Sequence, residues 1–419
     1  MNFNVGIDFL IKENPVGAIF GDDEINAVAR VMRSGKTLAY GENRDQFEAE
    51  FAEYVGAKHC ITTSSGTTAL DLAVMILCLK EGDEVISTPQ SFRATYLKLA
   101  SKNITIKFAD VFPDTLNMDP STIEDKITDR TKAIMIMDYA GNPNDMDAIM
   151  AIARKHGLKV IEDAAHAPGA SYRGRKIGSI ADLTCFSFQS LKNMSLGGEG
   201  GAVTTNDDEL AAAALEIRAY GILGEKKERE TPCIGPYKPL NHIYDHASFS
   251  YTHDWTHIDE IGTNMRITEM QAAIGLVQLA KLDKFNEMRI AIAKKYNEAF
   301  NRVEGLRTLK IDPQDRCVYH LYPVFIDPEV LGVDLQGFID YLQFEKRIQI
   351  ILRFFPATVS DYMVYKGHKL GESPVCEKVW FEQQVNIPIN PKMTEVEVAY
   401  VIGSVVEAAE HFKSKKRER

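Results

Sequence analysis

The sequence predicts an α/β protein: a large domain on a doubly wound, mainly parallel sheet, then a smaller α+β C-terminal domain. Two patterns carry this expectation. From about Asp22 to Ala280, short β-branched runs alternate with amphipathic stretches, as successive βαβ units require. Beyond them a long helical pattern leads into strand-like runs and one closing helix. A chain of 419 residues can bury one large core and a smaller one, so the expected division is 1–280 and 281–419.

In the large domain, ITIKFADV (104–111), KAIMIMDYA (132–140) and LKVIEDA (158–164) read as strands. Ser121–Ile127 and Asp147–His156 read as helices, their apolar residues recurring at helical spacing. A long helix is expected from Arg266 to Val303, broken near Leu282. In the small domain VYHLYPVFI (318–326) and RIQIILRFF (347–355) read as strands, and VEVAYVIGSVVEAAEHF (396–412) as the closing helix. Gly221 to Gly262 has no periodicity but is rich in Pro, His and aromatic residues, which points to an ordered functional loop.

Bulk composition narrows the function. No apolar run approaches the roughly 18 residues of a membrane span, and MNFNVGIDFLIKENP lacks the features of a secretory signal, so a cytoplasmic protein is expected. Six scattered cysteines without a CxxC pair argue against a zinc site or disulfide framework, and no metal is expected. A net charge of -11 disfavours nucleic acid as a partner; the basic tail KSKKRER reads as a solvated helix end.

Three segments carry chemistry. Phe186–Gly201 runs from a strand-like start through Lys192 into a glycine-rich turn. A lone lysine is more often a surface group, but this setting suits one that forms a Schiff base with pyridoxal 5′-phosphate (PLP), because burial favours the neutral amine and glycines admit the cofactor. Val160–Ala170 places Asp163 just past a buried strand, where doubly wound folds bind ligands. As a carboxylate it would keep the PLP ring nitrogen protonated; taken alone it also reads as a helix N-cap. Thr62–Val74 opens with Ser65, Gly66 and Thr67 ahead of a helix, either an anion site for the cofactor phosphate or an ordinary capping box.

Together with TPQSFRAT, MDYAGNPNDMDAI, GTNMRITEMQAAIGLVQL and HLYPV, these segments resemble the DegT/StrS-like sugar aminotransferases over nearly the whole chain. Those are PLP enzymes of the aspartate aminotransferase fold, fold type I. The resemblance implies that Gly66 and Thr67 form the phosphate turn, with Ser187 supplying a hydroxyl nearby. It implies that Phe92 stacks on the pyridine ring, Asp163 partners its nitrogen and Lys192 carries the cofactor. Asn264 would reach across to the neighbouring subunit's cofactor, which implies a homodimer. His166 stands where many members have glutamine near the phenolic oxygen, and it too can donate a hydrogen bond.

Two further departures concern the substrate. The stretch after Lys192 is one residue longer than the commoner KNxTTGEGG form and closer in length to a subgroup acting at C3 of nucleotide-linked sugars. Where the family shows a His-Tyr-x-Pro-like strand end, this chain reads Leu352-Arg353-Phe354-Phe355-Pro356, and Arg353 suits a carboxylate or phosphate, or is a solvated surface group. Tyr40, His320 and Arg353 are the candidate substrate contacts. The expected reaction moves an amino group from glutamate or glutamine to a keto sugar, nucleotide-linked in the first instance, or to a cyclitol ketone. Related sugar 3-dehydratases replace the Schiff-base lysine with histidine, so the retained Lys192 disfavours dehydration. A non-catalytic PLP- or sugar-binding regulator is the alternative of another class.

Overall fold

A computed structural model of the chain describes residues 8–220 and 262–417. All but the last residue of the 221–262 loop therefore lies outside the described residues, as do Cys233 and the first seven residues.

The large sheet is built from β1 (His59–Thr63), β2 (Glu84–Ser87), β3 (Thr105–Phe108), β4 (Thr131–Met137), β5 (Lys159–Asp163), β8 (Leu183–Ser187) and β9 (Gly201–Thr205). A short hairpin, β6 (Ser171–Tyr172) and β7 (Arg175–Lys176), stands apart from it. The order is β1-β9-β8-β5-β4-β2-β3; the pairings from β3 through β8 are parallel, and β9 is antiparallel to both β8 and β1. The expected doubly wound, mainly parallel sheet is thus present. Its central strands are buried except at their starts, where Lys132 is exposed and Lys159 half-buried, which is why they read as nearly continuous apolar runs.

Helices α1 (Asp22–Arg33), α2 (Glu42–Val55), α3 (Gly66–Ile76), α4 (Ala94–Ser101), α5 (Met146–His156) and α6 (Asp208–Arg218) surround the sheet, and α7 (Glu269–Phe300) follows them. The bounds of α5 are set by the Asp145 side chain, which accepts from the Ala148 amide, and by Gly157 in the left-handed conformation. A second sheet of β10 (Leu306–Thr308), β11 (Tyr322–Ile326) and β12 (Gln384–Ile387) is antiparallel, and the closing helix Glu395–Arg417 takes in most of the basic tail.

Three sequence expectations need correction. Ser121–Ile127 is not one helix but two 3₁₀ turns, Pro120–Thr122 and Glu124–Lys126. The Thr122 hydroxyl folds back on the Asp119 carbonyl (2.8 Å) and the Asp119 carboxylate takes the Ser121 amide (2.9 Å), side-chain bonds that compete with a helical ladder. RIQIILRFF is not a strand. Its main chain is used elsewhere: Gln349 donates to the Ile11 carbonyl (2.9 Å) and Arg353 to Asn386 Oδ1 (2.9 Å), leaving only an isolated bridge between Ile11 and Ile348.

The third concerns α7, which runs 32 residues without a break from a Thr268–Gln271 capping box. Leu282 is fully buried among Phe47, Phe51 and Phe186, so packing holds the helix straight through the expected break. The expected boundary at 280 falls inside this helix. Its first half, with Ala272 and Leu279, packs in the large-sheet core, and its second half, with Ile292, Tyr296 and Phe300, in the core around Tyr322 and Phe325. Leu282→Ala is expected to cost about 2–5 kcal/mol through the cavity it leaves, read as a lower midpoint in denaturant with the slope unchanged.

Among the described residues, no helix is long and apolar enough to cross a membrane, and no cluster of His, Cys, Asp and Glu is placed to hold a metal ion. Cys60, Cys185, Cys317 and Cys376 are buried free thiols, whereas Cys78 is exposed.

Candidate active site

A cavity of about 320 Å³ opens at the C-terminal ends of β5 and β8, where a doubly wound sheet binds its ligands. Ser65, Gly66, Thr67, Phe92, Asp163, His166, Ser187, Lys192, His320 and Arg353 all line it. Two expected site residues do not. Tyr40 lies exposed on a separate groove beside Ala27 and Glu269, and Asn264 is exposed with its Oδ1 accepting from the Arg266 amide (3.3 Å) and Nε (3.1 Å).

One end of the cavity is the start of α3. Ser65 caps the helix, its hydroxyl accepting from the Thr68 amide (3.1 Å), while its own amide donates to Thr68 Oγ1 (2.9 Å). Gly66 and Thr67, the first helical residues, have amides with no intrahelical acceptor. The capping box is therefore present, and it leaves the Gly66 and Thr67 amides free to take an anion. A Cβ on Gly66 would lie 2.6 Å from Ser187 Cβ, so glycine is what lets the buried Ser187 hydroxyl sit against the helix start.

Asp163 ends β5, and no helix follows it, which removes the N-cap reading. Its Oδ2 accepts from Thr95 Oγ1 (2.7 Å) and its Oδ1 from the Ala165 amide (3.1 Å). Burial pushes its pKa up, opposed by these two donors and by the charge of Lys192.

Lys192 is no surface group. Burial pushes its amine down to about 8; the Asp163 carboxylate opposes that shift and the Arg353 charge adds to it. Its backbone is wedged in place, since a Cβ on Gly17 would lie 2.0 Å from the Leu191 carbonyl oxygen and 2.5 Å from that of Lys192. The next residue, Asn193, is tied to Asn286 (2.9 Å), to the Val318 carbonyl (3.1 Å) and to His320 Nδ1 (3.2 Å).

His166 and His320 face each other with ring centroids 4.1 Å apart, and Phe354 lies nearly parallel to His166 at 5.7 Å. Burial pulls both imidazoles well below their usual pKa, so they are neutral. His166 Nδ1 has no hydrogen-bond partner among the described residues. Arg353 is not solvated at the surface but paired with Glu13. Phe92, half exposed into the cavity, lies 5.7 Å from Phe354.

This donor set fits PLP. The α3 amides with Ser65 and Ser187 suit its phosphate, Asp163 its ring nitrogen, Lys192 its carbonyl carbon and the orphaned His166 nitrogen its ring oxygen. Sequence reasoning missed Thr95, although it lies in the quoted TPQSFRAT segment one helical turn beyond Phe92.

It also missed a buried pair behind Asp163. Asp138 Oδ1 accepts from the Asn144 amide (3.1 Å) and Nδ2 (2.9 Å), and Glu162 Oε2 accepts from Thr184 Oγ1 (2.7 Å). The second oxygen of each carboxyl, Asp138 Oδ2 and Glu162 Oε1, is buried without a hydrogen-bond partner among the described residues. Burial raises both pKa values, the Asp163 charge adds to both, and the Asp138 charge raises Glu162 further. The folded chain therefore binds a proton that the unfolded chain releases above about pH 4. Stability is expected to fall as pH rises from there toward the raised folded value, by about 1.4 kcal/mol per pH unit for one proton. Asp138→Asn should flatten that slope in denaturation curves taken from pH 5 to 8.

The model of the DegT/DnrJ/EryC1/StrS aminotransferase family matches residues 19–406. The dTDP-3-amino-3,6-dideoxy-alpha-D-galactopyranose transaminase of Aneurinibacillus thermoaerophilus is 35% identical over 90% of this chain and 93% of its own. The dTDP-3-amino-3,4,6-trideoxy-alpha-D-glucose transaminase of Streptomyces venezuelae is 33% identical over 91% and 93%. The crystal structure of S. venezuelae DesV superposes with a TM-score of 0.79 at 32% identity, covering 93% of this chain and 95% of that one. Sheet order, the Lys192 cavity and these matches lead to one conclusion: the chain belongs to the DegT/DnrJ/EryC1/StrS aminotransferase family of PLP-dependent enzymes, whose transaminase relatives work on sugars.

Proposed function

We propose that the enzyme moves the amino group of an amino acid, L-glutamate in the first instance, onto the C3 ketone of a nucleotide-linked sugar, with Lys192 as the attachment point of PLP. The observation that carries this reading is the position of Lys192, a buried amine in the same cavity as Asp163, the neutral histidines and the α3 helix start. The C3 position is supported by the length of the stretch after Lys192 and by two relatives whose names specify 3-amino sugars.

Bound PLP supplies an electron sink for the carbon that loses its proton. Lys192 Nζ, its pKa brought down to about 8 by burial, takes the α-proton of the donor in its neutral form and returns a proton on the acceptor side. Asp163, oriented by Thr95 and the Ala165 amide, holds the proton on the ring nitrogen. The α3 amides and Ser187 would hold the phosphate, and Phe92 would pack against the ring. Donor and acceptor use one site in turn, so ping-pong kinetics follow. Asn264 and Tyr40, outside this chain's cavity, belong in this reading to a neighbouring subunit's site in a cytoplasmic homodimer.

The test is incubation of PLP-loaded enzyme with L-glutamate or L-glutamine and a panel of 3-keto and 4-keto sugar nucleotides and cyclitol ketones, following product mass. A 3-amino sugar nucleotide is the expected product. Amination of a cyclitol alone overturns the acceptor, and loss of water without nitrogen gain overturns transamination.

A further inference from the structure

Arg353 enters the cavity from the small-sheet side, and its guanidinium is fixed at both root and tip. Its amide donates to Asn386 Oδ1 (2.9 Å), and its carbonyl accepts from Tyr139 Oη (2.5 Å), from Gln90 Nε2 (3.3 Å) and from Gln384. At the tip, Nη2 donates to both oxygens of Glu13 (2.6 and 2.8 Å). Glu13 is itself anchored. Its amide donates to Gln349 Oε1 (2.9 Å), and the preceding Leu10 and Ile11 amides donate to the Arg347 carbonyl (2.8 and 3.3 Å).

Glu13 thus occupies one nitrogen of the guanidinium. Nη1 and Nε have no acceptor among the described residues, although the side chain is only 17% exposed. With both cavity histidines neutral, Arg353 is the one permanent cation among the described residues lining the cavity apart from the Lys192 amine. Its charge is near enough to oppose protonation of Lys192. That proximity favours an anion borne on the reacting carbon itself, which is the α-carboxylate of an amino acid. The diphosphate of a sugar nucleotide is separated from the reacting ketone by the sugar ring.

We propose that Arg353 binds the α-carboxylate of the amino donor through Nη1 and that Glu13 is a positioning residue holding the guanidinium for that contact. The proposal rests on the transaminase reading above and adds the donor subsite to it. An N-terminal residue 340 positions away thereby sets affinity for the amino acid.

The test has three arms. In single turnovers of PLP-loaded enzyme with L-glutamate, Arg353→Met should raise the apparent donor Kd roughly 10- to 100-fold, the range lost with a charged hydrogen bond. Arg353→Lys should recover part of that loss, which separates recognition from misfolding. Glu13→Gln should raise the donor Kd a few-fold without changing the saturating rate. In the reverse arm, pyridoxamine-phosphate-loaded Arg353→Met should bind the keto sugar nucleotide as the parent does. In the third, calorimetry on cofactor-free protein with glutarate should show binding that Arg353→Met weakens.

A donor Kd within two-fold of the parent in Arg353→Met overturns the assignment, and so does a loss confined to the sugar nucleotide, which would make phosphate the ligand. A fall in saturating rate at unchanged Kd in Glu13→Gln overturns its positioning role. If the parent enzyme turns over with no amino acid, the transaminase reading fails, while glutarate binding still reports on Arg353.

Discussion

Lys192→Ala is expected to lose essentially all turnover, with a fall of at least about 10⁴-fold, because one substitution removes both the proposed attachment point for PLP and the proposed base. The same variant should fail to develop visible absorbance when PLP is added. The folded state should persist, since the neighbouring Asn193 retains its bonds to Asn286, Val318 and His320. Turnover retained by this variant, measured by product mass under glutamate saturation, would place the chemistry elsewhere.

Asp163→Asn is expected to separate attachment from activation. Asparagine is nearly isosteric, and its carbonyl oxygen can still accept from Thr95 or from the Ala165 amide, so the cavity should keep its shape. What disappears is the negative charge proposed to hold a proton on the ring nitrogen. We expect PLP to attach through Lys192 as in the parent while kcat falls by roughly 10²- to 10³-fold, the cost typical of removing one preorganised electrostatic contact. An Asp163→Asn enzyme within a few-fold of the parent kcat would rule out this role for the carboxylate.

The two variants also mark what a sequence can disclose. Lys192 and Asp163 sit in short contiguous segments where a strand end, a turn and a reactive side chain follow one another, and such local patterns are readable. The apolar stretches of β4 and β5 were legible for the same reason, since burial on both faces favours apolar residues along most of β4 and at Val160 and Ile161. Residues 347–355 look like a strand because local periodicity does not say which partner takes the backbone, and here an N-terminal segment and Asn386 do. The Arg353–Glu13 contact and the burial of Asp138 beside Glu162 are long-range facts, set by which elements the fold makes neighbours. The break expected near Leu282 is absent for a like reason: Leu282 is buried in the large-sheet core, a tertiary contact that local periodicity does not report.

At 1.5 Å per residue, the 32-residue α7 is a rod of about 48 Å, with one end set in the large-sheet core and the other in the small-sheet core. A rod clamped at both ends does not hinge in its middle without breaking its own hydrogen-bond ladder. Swinging the small sheet away is therefore a costly way to admit a substrate. Adjustment around the Lys192 cavity is left to smaller parts, among them the side chains of Phe92 and Phe354 at its wall.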